Sequence, residues 1–556
     1  MKQMKEKRSS ILDLGCAMLA LVGSGAVHSA TLSAVHTFKL ADGSHAREFS
    51  ILAQGRDGNI YGTTPEGGSY GYGTAFKLTP EGAFTKLHDF DGINDGRRPD
   101  GGLTLGKDGD FYGTSSRGGA FDEGVVFKMT PVGAITVLHH FGPIAPSGRG
   151  DGRFPASAPI QGRDGNLYGT TFGGGAYGSG TIYKISRDGT FALLFSFLND
   201  PSAGLAPLGY YPRAPLLQGR DGALYGTTTY GTNATGLGAV FRVTTGGAAS
   251  TLYAFRGSDG AYPHGPLVEG TDGNLYGTTS SGGSLGGGTV YKLTKAGMLT
   301  TLHEFASFSI AGYSTYAGLV QASNGNFYGV TSTNSKSGAG KLFEVTPSGG
   351  YTQQASFGYQ PGATPYATPF LHTNGKIYGL TYAGSSFGHG AVYSVDLGAP
   401  GLINAVPSAA KAGATVVLLG AVADTTAVSF GGENATFSGT GSTYRTAVVP
   451  KGAATAHITL MTPTGSVQTL KPFLQLPTLT AFSPAGGTSG SSVLLTGTGL
   501  MQTTKVTFGG GKVATFVVNT DTQVTVTVPA GAASGKIRLT TLGGTVGTAT
   551  AFAVTP

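Results

Sequence analysis

Residues 55–64 read GRDGNIYGTT. The phrase returns as GKDGDFYGTS at 106–115, GRDGNLYGTT at 162–171, GRDGALYGTT at 219–228, GTDGNLYGTT at 270–279, ASNGNFYGVT at 322–331 and HTNGKIYGLT at 372–381. Its tyrosines are Tyr61, Tyr112, Tyr168, Tyr225, Tyr276, Tyr328 and Tyr378, giving successive spacings of 51, 56, 57, 51, 52 and 50 residues. Seven copies with a period near 50 predict a seven-bladed β-propeller, because a single small sheet cannot bury its own faces and must stack on its neighbours.

The fifth copy shows the strands of one unit. GPLVEGTD is a first strand, NLYGTTSS a second, GTVYKLT a third after the glycine loop GGSLGG, and MLTTLHEF a fourth after KAG. The Asp-Gly pairs at Asp57, Asp108, Asp164, Asp221 and Asp272 suit a two-residue type I′ hairpin, with positive φ at both central positions. Copies six and seven use Asn324-Gly325 and Asn374-Gly375 instead, which turn equally well but carry no charge. The aspartates therefore read as turn formers and not as calcium ligands. The seventh copy lacks a fourth strand, while LSAVHTFKL at 32–40 matches the fourth-strand phrase and stands alone before the first copy. Pairing that strand with the seventh copy would close the ring and leave only short edges.

Composition agrees with this reading. Of 556 residues, 96 are glycine and 27 proline; 39% are hydrophobic and 10% aromatic, but only 12% are charged. So few charges argue against a coiled coil or a charge-rich disordered chain. Cys16 is the single cysteine, so no internal disulfide framework is available. It lies in a segment read as a signal peptide over 1–30: Lys2, Lys5, Lys7 and Arg8 precede an apolar stretch from Leu14 to Val27, and small residues follow. Removal of that segment leaves 32 basic and 27 acidic residues, a net charge of +5 without basic runs. This balance gives no support to nucleic-acid binding. No second apolar run follows, so no transmembrane segment is expected in the mature chain.

The repeat, carried by DGNLYGTT, the glycine loop, GTVYKLT and LHEF, resembles the GloVer family of exported bacterial choice-of-anchor tandem repeat proteins. That resemblance covers 31 to about 397; it implies export and surface attachment, and transfers no site residues. After Pro400 two segments resemble each other: VSFGGENATF at 428–437 answers VTFGGGKVATF at 506–516, and alternating stretches such as QVTVTVP read as half-buried strands. The second resembles an IPT/TIG domain, an immunoglobulin-like fold, through FSPAGGTSGSSVLLTGTGL and VTVPAGAASGKI; the first is a degenerate relative. The expected organisation is a signal peptide at 1–30, an all-β propeller at 31–398, and two β-sandwiches at 399–476 and 477–556.

Functional residues are expected where length and variety concentrate. In a four-stranded meander the Asp-Gly turns share one face, and the glycine loops and inter-blade crossings share the other. The crossings place a different residue ahead of each innermost strand: Asp100, Arg213, His264, Tyr316 and Tyr366, with Arg98, Tyr211 and Tyr262 beside them. These eight are the candidate ligand-binding residues at the channel mouth. Tyr70, Tyr72, Phe121, Tyr177 and Phe387 in the glycine loops are further platforms, since tyrosine stacks on sugars or peptides while its hydroxyl stays hydrated. His36, His88, His139 and His303 share one fourth-strand position with Phe195 and Tyr253, which rules out a common metal or base role. His45 and His264 alone do not make a metal site, and no cofactor motif is present.

The chain therefore reads as an exported, non-catalytic binding or adhesion module for glycan or extracellular protein ligands, located outside the cell, on its surface or in the periplasm. Two alternatives stay open. One is a propeller lyase or lactonase using Asp100, His264, Tyr316 and Arg213, its repeat being loosely similar to that of streptogramin lyases. The other is a purely structural spacer.

Overall fold

The computed structural model describes residues 30–47, 49–144, 149–199, 208–231, 236–307, 314–332 and 339–555. The expected signal peptide, apart from Ala30, thus lies outside the described residues. Among the described residues every regular element is a strand and none is a helix.

Each repeat forms one antiparallel sheet. The first runs through Ala53–Gln54, Ile60–Thr64, Thr74–Leu78 and Phe84–Asp89 in chain order, and five later repeats follow the same plan. The fourth carries an additional strand, Tyr210–Pro212, on Leu224–Tyr230. The seventh sheet takes its fourth strand from the other end of the described chain. Thr31–Thr37 pairs antiparallel with Ala391–Asp396, with Thr31 opposite Asp396, Thr37 opposite Ala391 and one register slip between Ala34 and His36. The outer strands slip register at one repeated point, as between Ala75 and Phe76, or Val126 and Phe127. A bulge there twists the outer edge away from edge-to-edge pairing.

Packing between sheets is equally regular. Seven buried clusters are each shared by two consecutive repeats, and one joins Leu52, Ile60 and Phe76 of the first repeat to Tyr378, Leu380 and Val392 of the seventh. The glycine of each YGTT phrase is needed for close approach. A Cβ on Gly62 would lie 2.7 Å from the Phe76 ring, and one on Gly113 would lie 2.5 Å from Phe127. The tip of the third-strand aromatic ring therefore reaches over this glycine, and burying such a ring stabilises the fold by roughly 1.5–3 kcal/mol.

Polar side chains interlock the inner strands. Gln161 Oε1 accepts from Lys107 N (2.9 Å), Gln218 Oε1 from Arg163 N (2.9 Å), and Gln321 Oε1 from Thr271 N (3.0 Å), each reaching back to the preceding repeat. Gln54 Oε1 makes the same bond to Thr373 N (3.2 Å), between the first and seventh repeats.

The Asp-Gly turn differs from the expected type I′ hairpin. Gly58 has φ +77°, but Asp57 is absent from the positive-φ positions, and Gly58 N donates to Gly55 O at 3.1 Å. The turn therefore spans Gly55 to Gly58 and ends in a left-handed glycine, so only one residue needs positive φ. The aspartate is placed for its side chain: Asp57 Oδ1 accepts from Asn59 N (3.2 Å), and Oδ2 from the Tyr61 hydroxyl (2.8 Å).

The two C-terminal segments share one topology. Asn404–Val406, Thr415–Leu419, Tyr444–Val448 and Phe437–Ser438 form one sheet of the first, and Glu433–Asn434, Ala427–Phe430, Ile458–Thr462 and Gly465–Gln468 form the other. The second segment repeats this order from Thr478–Ser483 to Gly544–Gly547, and each pair of sheets encloses its own apolar core. The first sandwich meets the Asp-Gly-turn side of the repeats. Thr443 Oγ1 donates to Arg56 O (2.7 Å), and Lys471 Nζ donates to Glu269 O (2.6 Å).

Candidate functional site

The crossings lie with the glycine loops, joined by backbone bridges such as Arg97 to Arg117, Ala261 to Ser281 and Ala363 to Ala383. Within each crossing one residue takes a left-handed backbone: His45, Arg98, Phe154, Tyr211, Tyr262, Ser314 and Thr364 have φ between 51° and 60°. A non-glycine side chain in this region is strained, and its repetition at seven equivalent places marks a required backbone path. A proline follows in five of the seven, and the residue after that is Arg47, Asp100, Ala156, Arg213, His264, Tyr316 or Tyr366.

That register position opens on a cavity of about 670 Å³ to which six repeats contribute. Arg98, Asp100, Arg213, Tyr316 and Tyr366 line it, five of the eight residues expected from sequence. His264, Tyr211 and Tyr262 are not among its lining residues. Tyr211 and Tyr262 hold the strained position two residues before the inward one, where they meet Phe172 (ring centroids 4.5 Å) and Tyr230 (5.4 Å) respectively. His264 packs edge-on against Tyr316 at 5.0 Å. Burial, and secondarily the Arg213 charge, push its imidazole down to about 3.

Sequence reading missed Arg47, Arg117, Phe154, Phe172 and Tyr382, which also line the cavity. The signal for Arg47 was present: ADGSHAR at 41–47 matches NDGRRPD at 94–100 once the Asp-Gly pairs are aligned, although Ala46 replaces the proline. Phe172 and Tyr382 follow the YGTT strand, where Ser116 stands in the second repeat.

One side of the cavity is charged. Arg47 Nη2 donates to Glu66 Oε1 at 2.9 Å, and its Nε lies 3.8 Å from Asp100 Oδ1. Asp100 is buried, accepts from Ser116 Oγ at 2.5 Å, and lies 3.8 Å from Arg98 Nε. Burial raises its carboxyl above the usual range, although Ser116, Arg98 and Arg47 oppose the rise. Arg117 lies over the Phe154 ring at 3.8 Å, and Arg213 over Phe172 at 4.3 Å. The other side is aromatic: Tyr316 meets Tyr366 at 5.6 Å, and Tyr366 meets Tyr382 at 5.7 Å.

The model of the Gloeobacter/Verrucomicrobia repeat matches residues 23–211, 144–320 and 203–393, together more than half of the sequence. The chain belongs to the Gloeobacter/Verrucomicrobia repeat family. An IPT/TIG domain model matches residues 477–554. No curated protein matches the chain. Among solved structures, the chain is similar to the surface glycan-binding protein PbSGBP-B from Prevotella bryantii, at 14% identity and TM-score 0.22, covering 28% of this chain and 39% of that one. It is also similar to a putative 6-phosphogluconolactonase from Bacteroides uniformis, at 15% identity and TM-score 0.39, covering 60% of this chain and 95% of that one. A fungal alcohol oxidase of the AA5 family matches at 13% identity and TM-score 0.37, covering 92% and 98%.

In this member of the Gloeobacter/Verrucomicrobia repeat family the fourth-strand histidines His88 and His139 pair with aspartates of the crossings. His88 Nε2 lies 2.5 Å from Asp95 and His139 Nε2 lies 2.6 Å from Asp151, while Tyr253 donates to Asp259 at 2.6 Å. Among the described residues, no group of three or more His, Cys, Asp or Glu is placed to hold a metal ion. No helix among them is long and apolar enough to cross a membrane. Around the cavity the glycine loops expose Tyr70, Phe121, Tyr177, Leu285 and Phe387 at five equivalent turn positions.

Proposed function

We propose that the repeats close into a seven-bladed propeller occupying 31–398, that sandwiches at 399–476 and 477–556 follow it, and that the protein is an exported surface or secreted binding module. Its ligand is a glycan or the glycan-bearing surface of another protein, held on the crossing face. The observation that carries this reading is the single cavity built by six repeats at one register position. There the framework stays constant while the side chain varies from Arg to Asp, Ala and Tyr. Its aromatic side offers faces on which sugar rings stack, and its arginines and hydroxyls can orient polar groups. Seven sheets with seven shared cores, and the pairing of Thr31–Thr37 with Ala391–Asp396, support the closed ring.

A lyase or lactonase would need a proton-transferring group at the cavity. The chemistry at hand favours binding: His264, held neutral down to about pH 3, is a weak base, and Asp100 is engaged by Ser116 and two arginines. A glycan array probed with the full chain tests the proposal. Retention on a defined set of glycans, weakened at least tenfold by joint replacement of Tyr316 and Tyr366 with alanine, is the expected result. Retention on none, or turnover of a bound glycan, would overturn it.

A further inference from the structure

Resting on that binding reading, we infer that the cavity takes an acidic glycan, with sugar rings against Tyr316, Tyr366 and Tyr382 and a carboxylate or sulfate held by the arginines opposite. Four guanidinium groups line the cavity, from Arg47, Arg98, Arg117 and Arg213, against the one carboxylate of Asp100 among the described lining residues. That carboxylate is buried, bonded to Ser116 and 3.8 Å from both Arg47 and Arg98, and Glu66 bonds Arg47, so the two acids neutralise part of the charge and leave an excess of arginine.

The arginines are also oriented in advance. Arg117 lies over the face of Phe154 and Arg213 over that of Phe172, which holds both guanidinium groups in place at the cavity. Planar forks of this kind match the paired oxygens of a carboxylate or sulfate, whereas a neutral sugar offers only scattered hydroxyls. Arg117 is exposed and lies over the aromatic face of Phe154. The juxtaposition is specific: the tyrosines come from repeats six and seven, while the arginines come from repeats one, two and four. A chain of sugars crossing the mouth would meet stacking surface on one side and positive charge on the other.

Isothermal titration of the full chain at low salt tests this, with three probe series: oligogalacturonates, sulfated galactan oligosaccharides and neutral galactan oligosaccharides. At least one acidic series should bind tenfold or more tightly than the neutral series, and its affinity should fall as salt rises. The preferred series identifies the anion. Arg98→Gln and Arg117→Gln should each weaken acidic binding at least tenfold, and Arg117→Gln should do so with the melting temperature unchanged. Neutral oligosaccharides bound as tightly as acidic ones would overturn the inference and leave the binding reading standing. Binding to none of the three, with a blank glycan array, would overturn both.

Discussion

The hydroxyl of Tyr61 donates to Asp57 Oδ2 across 2.8 Å, whereas in the sixth repeat Asn324 Nδ2 donates to the hydroxyl of Tyr328 across 2.9 Å. The same two positions are bonded in all seven repeats, with the donor and acceptor exchanged in the last two. The tyrosine ring is buried between sheets while its hydroxyl reaches the turn, so the bond ties turn to core. A carboxylate is one way to meet that hydroxyl, and a carboxamide is another.

Replacement of Asp272 by asparagine should therefore cost less than about 0.5 kcal/mol. Asp272→Ala should cost about 1–2 kcal/mol, because the Tyr276 hydroxyl loses its partner at a part-buried site. Thermal unfolding followed by circular dichroism measures both. A calcium role would instead make the asparagine variant as damaging as alanine, and would let a chelator lower the melting temperature.

Gly62→Ala should destabilise the first repeat by about 1–3 kcal/mol, since its new methyl would lie 2.7 Å from the Phe76 ring. Adding Phe76→Leu removes the colliding ring edge and should recover part of the loss. If Gly62→Ala alone is neutral in denaturant titration, the ring has room to shift and close approach is not what requires glycine there.

The repeats were legible because each one restates the same strands, loops and aromatic positions. Local turn chemistry misled at Asp57: the dipeptide suits type I′, yet the bonds from Gly55 N to Asn59 O and from Gly58 N to Gly55 O make a longer turn with one left-handed residue. Arg98, Asp100, Arg213, Tyr316 and Tyr366 were found at the cavity because the crossings vary where the framework does not. Arg47 was hidden by the missing proline of its crossing, and Phe172 and Tyr382 by lying at the end of a strand that looked purely structural. Nothing local to Gln54 indicates its bond to Thr373, which needs the chain ends to meet.

The proposed ring closure makes a prediction of its own. Deleting residues 31–37 would strip the strand paired to Ala391–Asp396 and leave that strand as an unpaired edge beside a core shared with the first repeat. The truncated protein should melt at least 5 °C lower and form dimers or larger species in light scattering. A synthetic peptide of residues 30–40 added in trans should reverse part of both changes. A truncated protein that melts and sediments like the parent would show that the strand does not close the ring.

His264 should make the repeats acid-sensitive. Its folded-state value, about 3, lies below the ordinary 6.5, so the folded protein holds this imidazole neutral while the unfolded chain protonates it. The associated stability is complete above about pH 6.5 and is lost as pH falls from there toward 3. Between pH 7 and pH 5 the parent should lose about 1–2 kcal/mol more than His264→Phe, which keeps a ring against Tyr316 but cannot titrate. Urea unfolding at the two pH values compares them directly. Equal losses in the two proteins would mean that His264 is free to protonate in the folded state, and that burial beside Arg213 does not hold it neutral.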